Sequence, residues 1–244
     1  MKPLKIAVCE DDSAEYDKLS AILEKSVFPV ETEHFSDGSG LLEAYYHGRY
    51  DLLLIDIYMN HINGVETVAK IRETDNNVPI AFITPSLDHA MDGYRYHVDR
   101  YITKPLRSGD VMEVVSRAVQ QRENAPAVNV PYGGKVHRIP LSRIRYIESQ
   151  ADMVYLYLTG GGIEKTTLKL KELAVSLPQP PFFVCHKSYA VNLEYVASYD
   201  KSLNIFDMKE GGRVYIRRES KAEAVNIYRE YMFNLARNQG VKLC

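Results

Sequence analysis

The sequence predicts two domains of different fold class: a five-stranded, parallel, doubly wound α/β domain and then a mostly-β domain. In the first half, short apolar runs alternate with stretches of helical periodicity, which is typical of βαβ units. In the second half, apolar residues recur with a period of two, and glycine clusters separate the extended segments. A chain of 244 residues is long enough for two domains of ordinary size.

The elements of the first half follow in order from these patterns. Ser13 can cap a first helix, and Gly64 precedes a second amphipathic stretch. Valine and alanine at helical spacing between 111 and 119 make the clearest helical stripe, and the last unit ends at about Arg122. The strands with polar residues after them are the apolar runs 6–9, 52–55, 80–83 and 101–103.

The segment 123–127 contains a proline and has little to bury, so it predicts a domain boundary. We therefore expect a first domain over 1–124, a linker over 125–127 and a second domain over 128–240. In the second domain only 168–177 and 221–235 have helical patterns. Extended segments are expected at 154–158, 203–206 and 214–216, with turns at 160–162 and 210–212.

The composition, 45% apolar and 25% charged, is that of a globular protein. The sequence contains no run of 18 apolar residues, so no membrane-spanning helix is predicted. The N-terminal segment does not resemble a signal peptide. Cys9, Cys185 and Cys244 lack any close pairing, which argues against structural zinc and favours a reducing cytosol. We therefore expect a cytoplasmic protein with no membrane contact.

The two halves differ in charge. Residues 1–124 hold 13 Lys and Arg against 21 Asp and Glu, whereas residues 125–244 hold 17 against 11. An acidic half suits a metal-dependent site, and a basic half suits a polyanionic partner.

Polar residues follow four of the apolar runs, at the point where each predicted strand ends. They are the pair Glu10-Asp11, then Asp56, Thr84 and Lys104. Because the carboxyl ends of parallel strands meet at one edge of a sheet, these side chains should lie close together. Carboxylates suit Mg²⁺, whereas a lysine and a hydroxyl suit a phosphoryl group. Carboxylates so clustered repel one another, so one of them should bind protons more readily than usual.

This order of residues resembles the receiver domain of two-component systems, which has a flavodoxin-like fold. The resemblance implies that Asp56 accepts a phosphoryl group from a sensor histidine kinase and that Thr84 and Lys104 contact its oxygens. It also implies that Tyr101 is a switch aromatic and that the Lys104–Pro105 peptide is cis. The implied ligands of a weakly bound Mg²⁺ are Glu10, Asp11, Asp56 and the carbonyl of Tyr58.

Three residues depart from the receiver pattern. Pro85 has no N–H, so one donor to the phosphoryl group should be absent. Tyr58 is bulky and stands two residues after Asp56, where it can slow attacking water. Asn60 stands where many receivers have proline.

Residues His186, Ser188, Tyr189, Val191 and Asn192 fall at fixed offsets that resemble the LytTR-type DNA-binding domain. The resemblance covers about 128–235 and implies a small β-fold that reads DNA with three loops, at 149–153, 186–187 and 217–218. Arginine is the best bidentate reader of guanine, and lysine supplies charge to phosphates. The candidate DNA contacts are Gln150, Asp152, Met153, Lys169, Lys171, His186, Lys187, Arg217 and Arg218.

Some of these residues have alternative interpretations. Arg218 matches the reading arginine of the family, but Arg217 replaces its usual small polar neighbour, so both stay candidates for base contact. His186 can instead be a structural histidine bonded to backbone, and Cys185 is best explained as a buried thiol.

The resulting hypothesis is a response regulator and transcription factor, not an enzyme, that binds double-stranded DNA. Phosphorylation of Asp56 would favour a homodimer through the helices expected at 86–97 and 107–121. One alternative is a DNA-binding regulator that has lost phosphoryl control because of Pro85. Another is a phosphatase with Asp56 as nucleophile. The basic module could also bind RNA or a protein, although few aromatic residues are evident in its loops.

Overall fold

The computed structural model describes residues 2–60, 62–86, 96 and 98–238. The chain divides into two compact units, Met1–Ala125 and Pro126–Cys244.

The first unit is a five-stranded parallel sheet with strand order β2-β1-β3-β4-β5, which confirms the predicted doubly wound fold. Its strands are β1 (Leu4–Cys9), β2 (Val30–Phe35), β3 (Leu52–Asp56), β4 (Ile80–Thr84) and β5 (Arg100–Thr103). Its helices are α1 (Ser13–Leu23), α2 (Gly38–Ala44), α3 (Gly64–Arg72) and α4 (Ser108–Asn124). The further helix expected at 86–97 falls largely outside the described residues.

Helices cover both faces of this sheet because alternate residues of each strand point to opposite sides. Leu19 of α1 and Val115 of α4 pack on the face that contains Leu54. Leu41 of α2 and Val68 of α3 belong to the cluster on the other face. Strand β3 is the middle strand of the sheet and is buried along its whole length, so its last residue, Asp56, lies at the centre of the carboxyl edge.

Two helix boundaries differ from expectation. Asp12, not Ser13, caps α1, since its side chain accepts hydrogen bonds from the N–H groups of Ala14 and Glu15. A carboxylate at this position satisfies two N–H groups that have no partner within the helix. Helix α4 continues to Asn124 and the next strand begins at Ala127, so 123–124 are helical and 127 is extended.

The second unit consists of three antiparallel sheets. A five-stranded sheet has the order β10-β9-β8-β12-β11, a three-stranded sheet has the order β13-β14-β15, and β6 pairs with β7. The strands are β6 (Ala127–Tyr132), β7 (Lys135–Pro140), β8 (Ile144–Gln150), β9 (Met153–Leu158), β10 (Ile163–Thr166), β11 (Phe182–His186), β12 (Tyr189–Asn192), β13 (Val196–Asp200), β14 (Ile205–Met208) and β15 (Arg213–Tyr215). The helices are α5 (Leu170–Ala174) and α6 (Lys221–Asn238).

The mostly-β prediction is confirmed, with three local differences. Helix α5 is shorter than the predicted 168–177, and Leu203 lies in an exposed turn before β14. The β6–β7 hairpin was not predicted. Its signal is the pair Gly133-Gly134, whose φ values of 59° and 75° suit the tight turn that joins the strands.

No helix in the described ranges is both long and apolar enough to cross a lipid bilayer.

Candidate functional site

The acidic residues predicted from sequence meet at the carboxyl edge of the parallel sheet. Cys9 of β1 lies opposite Ile55 of β3, so the residues that follow them, Glu10 and Asp56, are neighbours. Both are almost fully buried, with 2% and 3% of their surfaces exposed. Two buried carboxylates side by side require a cation or a proton to compensate them.

Lys104 supplies that positive charge. Its Nζ lies 2.7 Å from Oδ2 of Asp56 and 2.9 Å from Oε2 of Glu10. The backbone N–H of Lys104 donates to the carbonyl of Thr84 at 2.9 Å, which extends the pairing of β4 with β5 by one residue. The Lys104–Pro105 peptide is cis, as predicted.

The loop after Asp56 is fixed on both sides. Oδ1 of Asp56 accepts a hydrogen bond from the N–H of Tyr58 at 3.0 Å. Gly64 approaches the same strand end so closely that a Cβ there would lie 2.2 Å from the backbone oxygen of Asp56. Glycine at the start of α3 is therefore required by packing against the end of β3. The side chain of Tyr58 is 46% exposed at the site.

The donor set fits a divalent cation that prefers oxygen. Glu10, Asp11 and Asp56 each offer a carboxylate oxygen, and these oxygens all lie within 4.8 Å of one another. Asp11 is exposed to water while its two partners are buried. Mg²⁺ keeps several waters and binds through one or two carboxylates, so this half-open arrangement suits it.

Burial changes the proton affinities of this cluster. Loss of water around Glu10 raises its pKa to about 7, and the hydrogen bond from Lys104 reverses only part of that effect. Burial lowers the pKa of Lys104, but its hydrogen bonds to Asp56 and Glu10 outweigh this and leave the pKa raised. One carboxyl does bind protons more readily, as predicted, but burial contributes more than the repulsion from Asp56.

The other two residues implied for the switch lie on the neighbouring strands. Thr84 ends β4 and is fully buried, and its hydroxyl donates to the carbonyl of Ser86 at 2.8 Å. Pro85 stands between them and has no N–H to offer. Tyr101 on β5 is half-buried, with its ring centroid 5.6 Å from that of Phe82.

One contact in this site, between Asn60 and Asp11, was not predicted from the sequence. The backbone N–H of Asn60 lies 3.2 Å from Oδ2 of Asp11, and its side-chain Nδ2 lies 2.7 Å from the same oxygen. The two residues are 49 positions apart. A hydrogen bond across two loops has no periodic signal in a sequence.

In the second unit, the three predicted DNA-binding loops meet at one end of the five-stranded sheet. Tyr189 of β12 pairs with Glu148 of β8, and the N–H of Ser149 donates to the carbonyl of Ser188 at 2.8 Å. The turns at 150–153 and 186–189 are therefore neighbours. The N–H of Arg217 donates to the carbonyl of Cys185 at 2.9 Å, which brings the third loop beside them.

The candidate contacts at this end differ in exposure. Gln150 and Asp152 are exposed at the β8–β9 turn, while Met153 is half-buried. Strand β10 ends opposite the start of β9, so the chain leaves the sheet at this end before it reaches Lys169. Lys169 and Lys171 are both exposed at the start of α5.

His186 takes part in the turn between β11 and β12. Its Nδ1 accepts a hydrogen bond from the N–H of Ser188 at 3.1 Å. One ring nitrogen is therefore bonded to the backbone, as the structural alternative for His186 predicts. With Nδ1 as acceptor, the neutral ring carries its proton on Nε2, which is a donor. Lys187, at the tip of the turn, is exposed.

The two arginines have different surroundings. Nε of Arg217 is ion-paired with Oε2 of Glu219 at 2.5 Å. Arg218 is exposed, and among the described residues no acidic group pairs with it. Of these two arginines, Arg218 thus presents the guanidinium without an acidic partner among the described residues.

Cys185 is a buried thiol, as expected. Burial raises its pKa to about 12, so it stays protonated near neutral pH.

Two protein families account for most of the chain. The family model of the response regulator receiver domain matches residues 6–116, and that of the LytTr DNA-binding domain matches residues 134–228. The chain belongs to the LytTR response regulators. It is therefore a transcription regulator that joins a receiver domain to a DNA-binding domain.

This response regulator resembles curated proteins along most of their length. The transcriptional regulatory protein YpdB of Escherichia coli K12 is 24% identical over 215 residues, which cover 82% of this chain and 88% of YpdB. The sensory transduction protein LytT of Bacillus cereus is 23% identical over 248 residues, which cover 93% of this chain and 99% of LytT. Among solved structures, the response regulatory domain of mrkE from Klebsiella pneumoniae is 23% identical, with a TM-score of 0.44, and the match covers 49% of this chain and 98% of that domain.

Proposed function

We propose that this cytosolic response regulator accepts a phosphoryl group on Asp56 from a sensor histidine kinase and then binds double-stranded DNA as a dimer. The observation that carries the proposal is the position of Lys104, whose ammonium contacts the buried carboxylates of both Asp56 and Glu10. When a phosphoryl group arrives, a lysine ammonium can transfer a hydrogen bond from the carboxylate to a phosphoryl oxygen.

In the transfer step, a carboxylate oxygen of Asp56 forms a bond to phosphorus while the bond from phosphorus to the kinase histidine breaks. The histidine nitrogen leaves with the electron pair of that bond. Lys104 then moves its hydrogen bond from the Asp56 carboxylate to a phosphoryl oxygen. The hydroxyl of Thr84 turns away from the carbonyl of Ser86 and donates to a second phosphoryl oxygen. Bound Mg²⁺, held by Glu10, Asp11, Asp56 and the Tyr58 carbonyl, would supply charge stabilisation to the transferring group.

A groove beside Lys104 supports the proposed kinase contact. It is lined by Ile22 of α1, by Lys25 in the turn after α1, and by Pro105 and Leu106 of the loop after β5. The groove combines these apolar side chains with three lysines, Lys18, Lys25 and Lys104, and with one carboxylate, Glu15, which is paired with Lys18. A helix carrying a phosphohistidine fits this chemistry, because its apolar face can pack there while its phosphoryl group reaches Asp56.

Dimerisation would convert the transfer into a change in DNA affinity. We propose that Tyr101 turns inward when Thr84 moves and that the surface including α4 then pairs with a second copy. Two DNA-binding domains on one duplex gain affinity through effective concentration, without any new contact. The loops that carry Lys187 and Arg218 would read bases, while Lys169 and Lys171 contact phosphates.

A phosphorylation-independent regulator is the second candidate, and Pro85 is the observation that favours it. The N–H that it lacks is one donor fewer for a phosphoryl group. A phosphatase with Asp56 as nucleophile has less support, because such enzymes often need a second acid two residues on, and here that residue is Tyr58.

Phosphoryl transfer from labelled acetyl phosphate tests the proposal. The wild-type chain should acquire an acid-stable, base-labile label in the presence of Mg²⁺, and Asp56→Asn should not. Asp17→Asn, on the exposed surface of α1, is the matched control and should be labelled like the wild type. Equal labelling of Asp56→Asn would place the phosphoacceptor elsewhere.

A further inference from the structure

Asn60 links the two loops that would share the cation. Asp11 belongs to the loop after β1, whereas Asn60 belongs to the loop after β3, which also contains Tyr58. Both donors of Asn60, its backbone N–H at 3.2 Å and its Nδ2 at 2.7 Å, converge on Oδ2 of Asp11. The other carboxylate oxygen, Oδ1, accepts no hydrogen bond from any residue that the structure describes.

Asp11 needs such support more than its two partners do. Glu10 and Asp56 are buried and fixed by Lys104, but Asp11 is exposed to water. An exposed carboxylate can rotate freely, and a cation that binds it must first stop that rotation. Two hydrogen bonds to one oxygen stop the rotation beforehand and leave the second oxygen for the cation.

We propose that Asn60 is a positioning residue that orients Asp11 for Mg²⁺ and ties it to the loop of Tyr58. This inference rests on the proposed phosphoacceptor site and its cation. Hydrogen-bond partners of a ligating carboxylate commonly set the affinity of a metal site. A proline, which many receivers have at this position, offers neither of the two donors.

Isothermal titration of the full chain with Mg²⁺ tests this role. Asn60→Ala removes Nδ2 but keeps the backbone N–H, so Mg²⁺ should bind about tenfold more weakly. Asn60→Gln keeps an amide donor and should recover part of the loss. Asn76→Ala, an equivalent change on an exposed loop after α3, is the matched control and should bind Mg²⁺ like the wild type.

Thermal unfolding without Mg²⁺ distinguishes positioning from a structural role. The Asn60→Ala chain should unfold close to the temperature of Asn76→Ala, because the lost hydrogen bond is exposed. Asp11→Asn is measured in parallel and should lose most of the affinity. If Asn60→Ala binds Mg²⁺ within about twofold of the wild type while Asp11→Asn does not, the role of Asn60 is refuted and the proposed metal site stands. If the wild type does not bind Mg²⁺, or Asp11→Asn binds it equally well, the metal site itself is wrong and the inference fails with it.

Discussion

The ammonium of Lys104 lies between two buried carboxylates, 2.7 Å from Oδ2 of Asp56 and 2.9 Å from Oε2 of Glu10. This arrangement stabilises a pair of like charges that would otherwise repel each other away from water. The same lysine is the group that a phosphoryl oxygen on Asp56 would attract. One side chain thus connects the stability of the receiver domain with its proposed chemistry.

Removal of this lysine should destabilise the chain. In Lys104→Met the side-chain volume is nearly kept, but two buried carboxylates lose their cation, so the free energy of unfolding should fall by about 3 kcal/mol. Urea unfolding in the presence of a chelator measures it. Lys25→Met, in the exposed turn after α1, is the control and should change stability by less than about 0.5 kcal/mol. A loss for Lys104→Met as small as that of the control would mean that water already screens the carboxylates.

The raised pKa of Glu10 predicts a pH-dependent contribution to stability. Burial raises the pKa of Glu10 from 4.5 to about 7 in the folded chain, so the folded state holds this proton more tightly than the unfolded state. The resulting stabilisation is complete below the unfolded pKa and is lost as pH rises through about 7.

Comparison with Glu10→Gln isolates this effect. The wild-type free energy of unfolding, minus that of Glu10→Gln, should decrease between about pH 5 and pH 8, measured with a chelator present. A difference that does not change with pH would show that Lys104 keeps Glu10 ionised throughout.

The missing donor at Pro85 should limit the affinity for phosphoryl mimics. Pro85→Ala restores a backbone N–H, and one charge-assisted hydrogen bond contributes roughly 1.5–3 kcal/mol before backbone costs. Binding of beryllium fluoride should therefore tighten by about tenfold or more. Pro178→Ala makes the same substitution in the other unit and serves as the control. Unchanged affinity in Pro85→Ala would indicate that another group already supplies the hydrogen bond.

The ion pair of Arg217 with Glu219 predicts that Arg217 and Arg218 contribute differently to DNA affinity. Arg218→Ala should cost about 1–3 kcal/mol on the preferred duplex and much less on a scrambled one. Arg217→Ala should cost less, because this arginine must leave Glu219 before it contacts DNA. Lys171→Ala should weaken binding to both duplexes and flatten the salt dependence, as loss of a phosphate contact does. Equal losses of Arg218→Ala on the two duplexes would assign Arg218 to the backbone instead.

The strands and the acidic edge could be predicted because their signals are local. The apolar run that ends at Asp56 forms a buried central strand, and strand ends in a parallel sheet converge without further information. Helix α3 after Gly64 was equally evident, although the reason for the glycine, its contact with the backbone of Asp56, required the structure.

The remaining features depend on contacts between distant parts of the chain. The capping role of Asp12 over Ser13 depends on which residue adopts the extended conformation, and both types are good caps. The hydrogen bonds from Asn60 to Asp11 join two loops, and the pairing of Arg217 with Glu219 depends on side-chain direction. None of these has a periodicity that a sequence displays.

The central claim is that phosphorylation of Asp56 controls DNA binding. Its most direct test is the affinity of the full chain for the DNA upstream of its own gene, measured by footprinting with and without acetyl phosphate and Mg²⁺. Wild-type protein should protect a site of two repeats at a lower concentration when the phosphodonor is present. Asp56→Asn should protect the same site but show no response to the donor. Protection by the wild type that does not change with the donor, or a full response in Asp56→Asn, would contradict the proposal that Asp56 controls DNA binding.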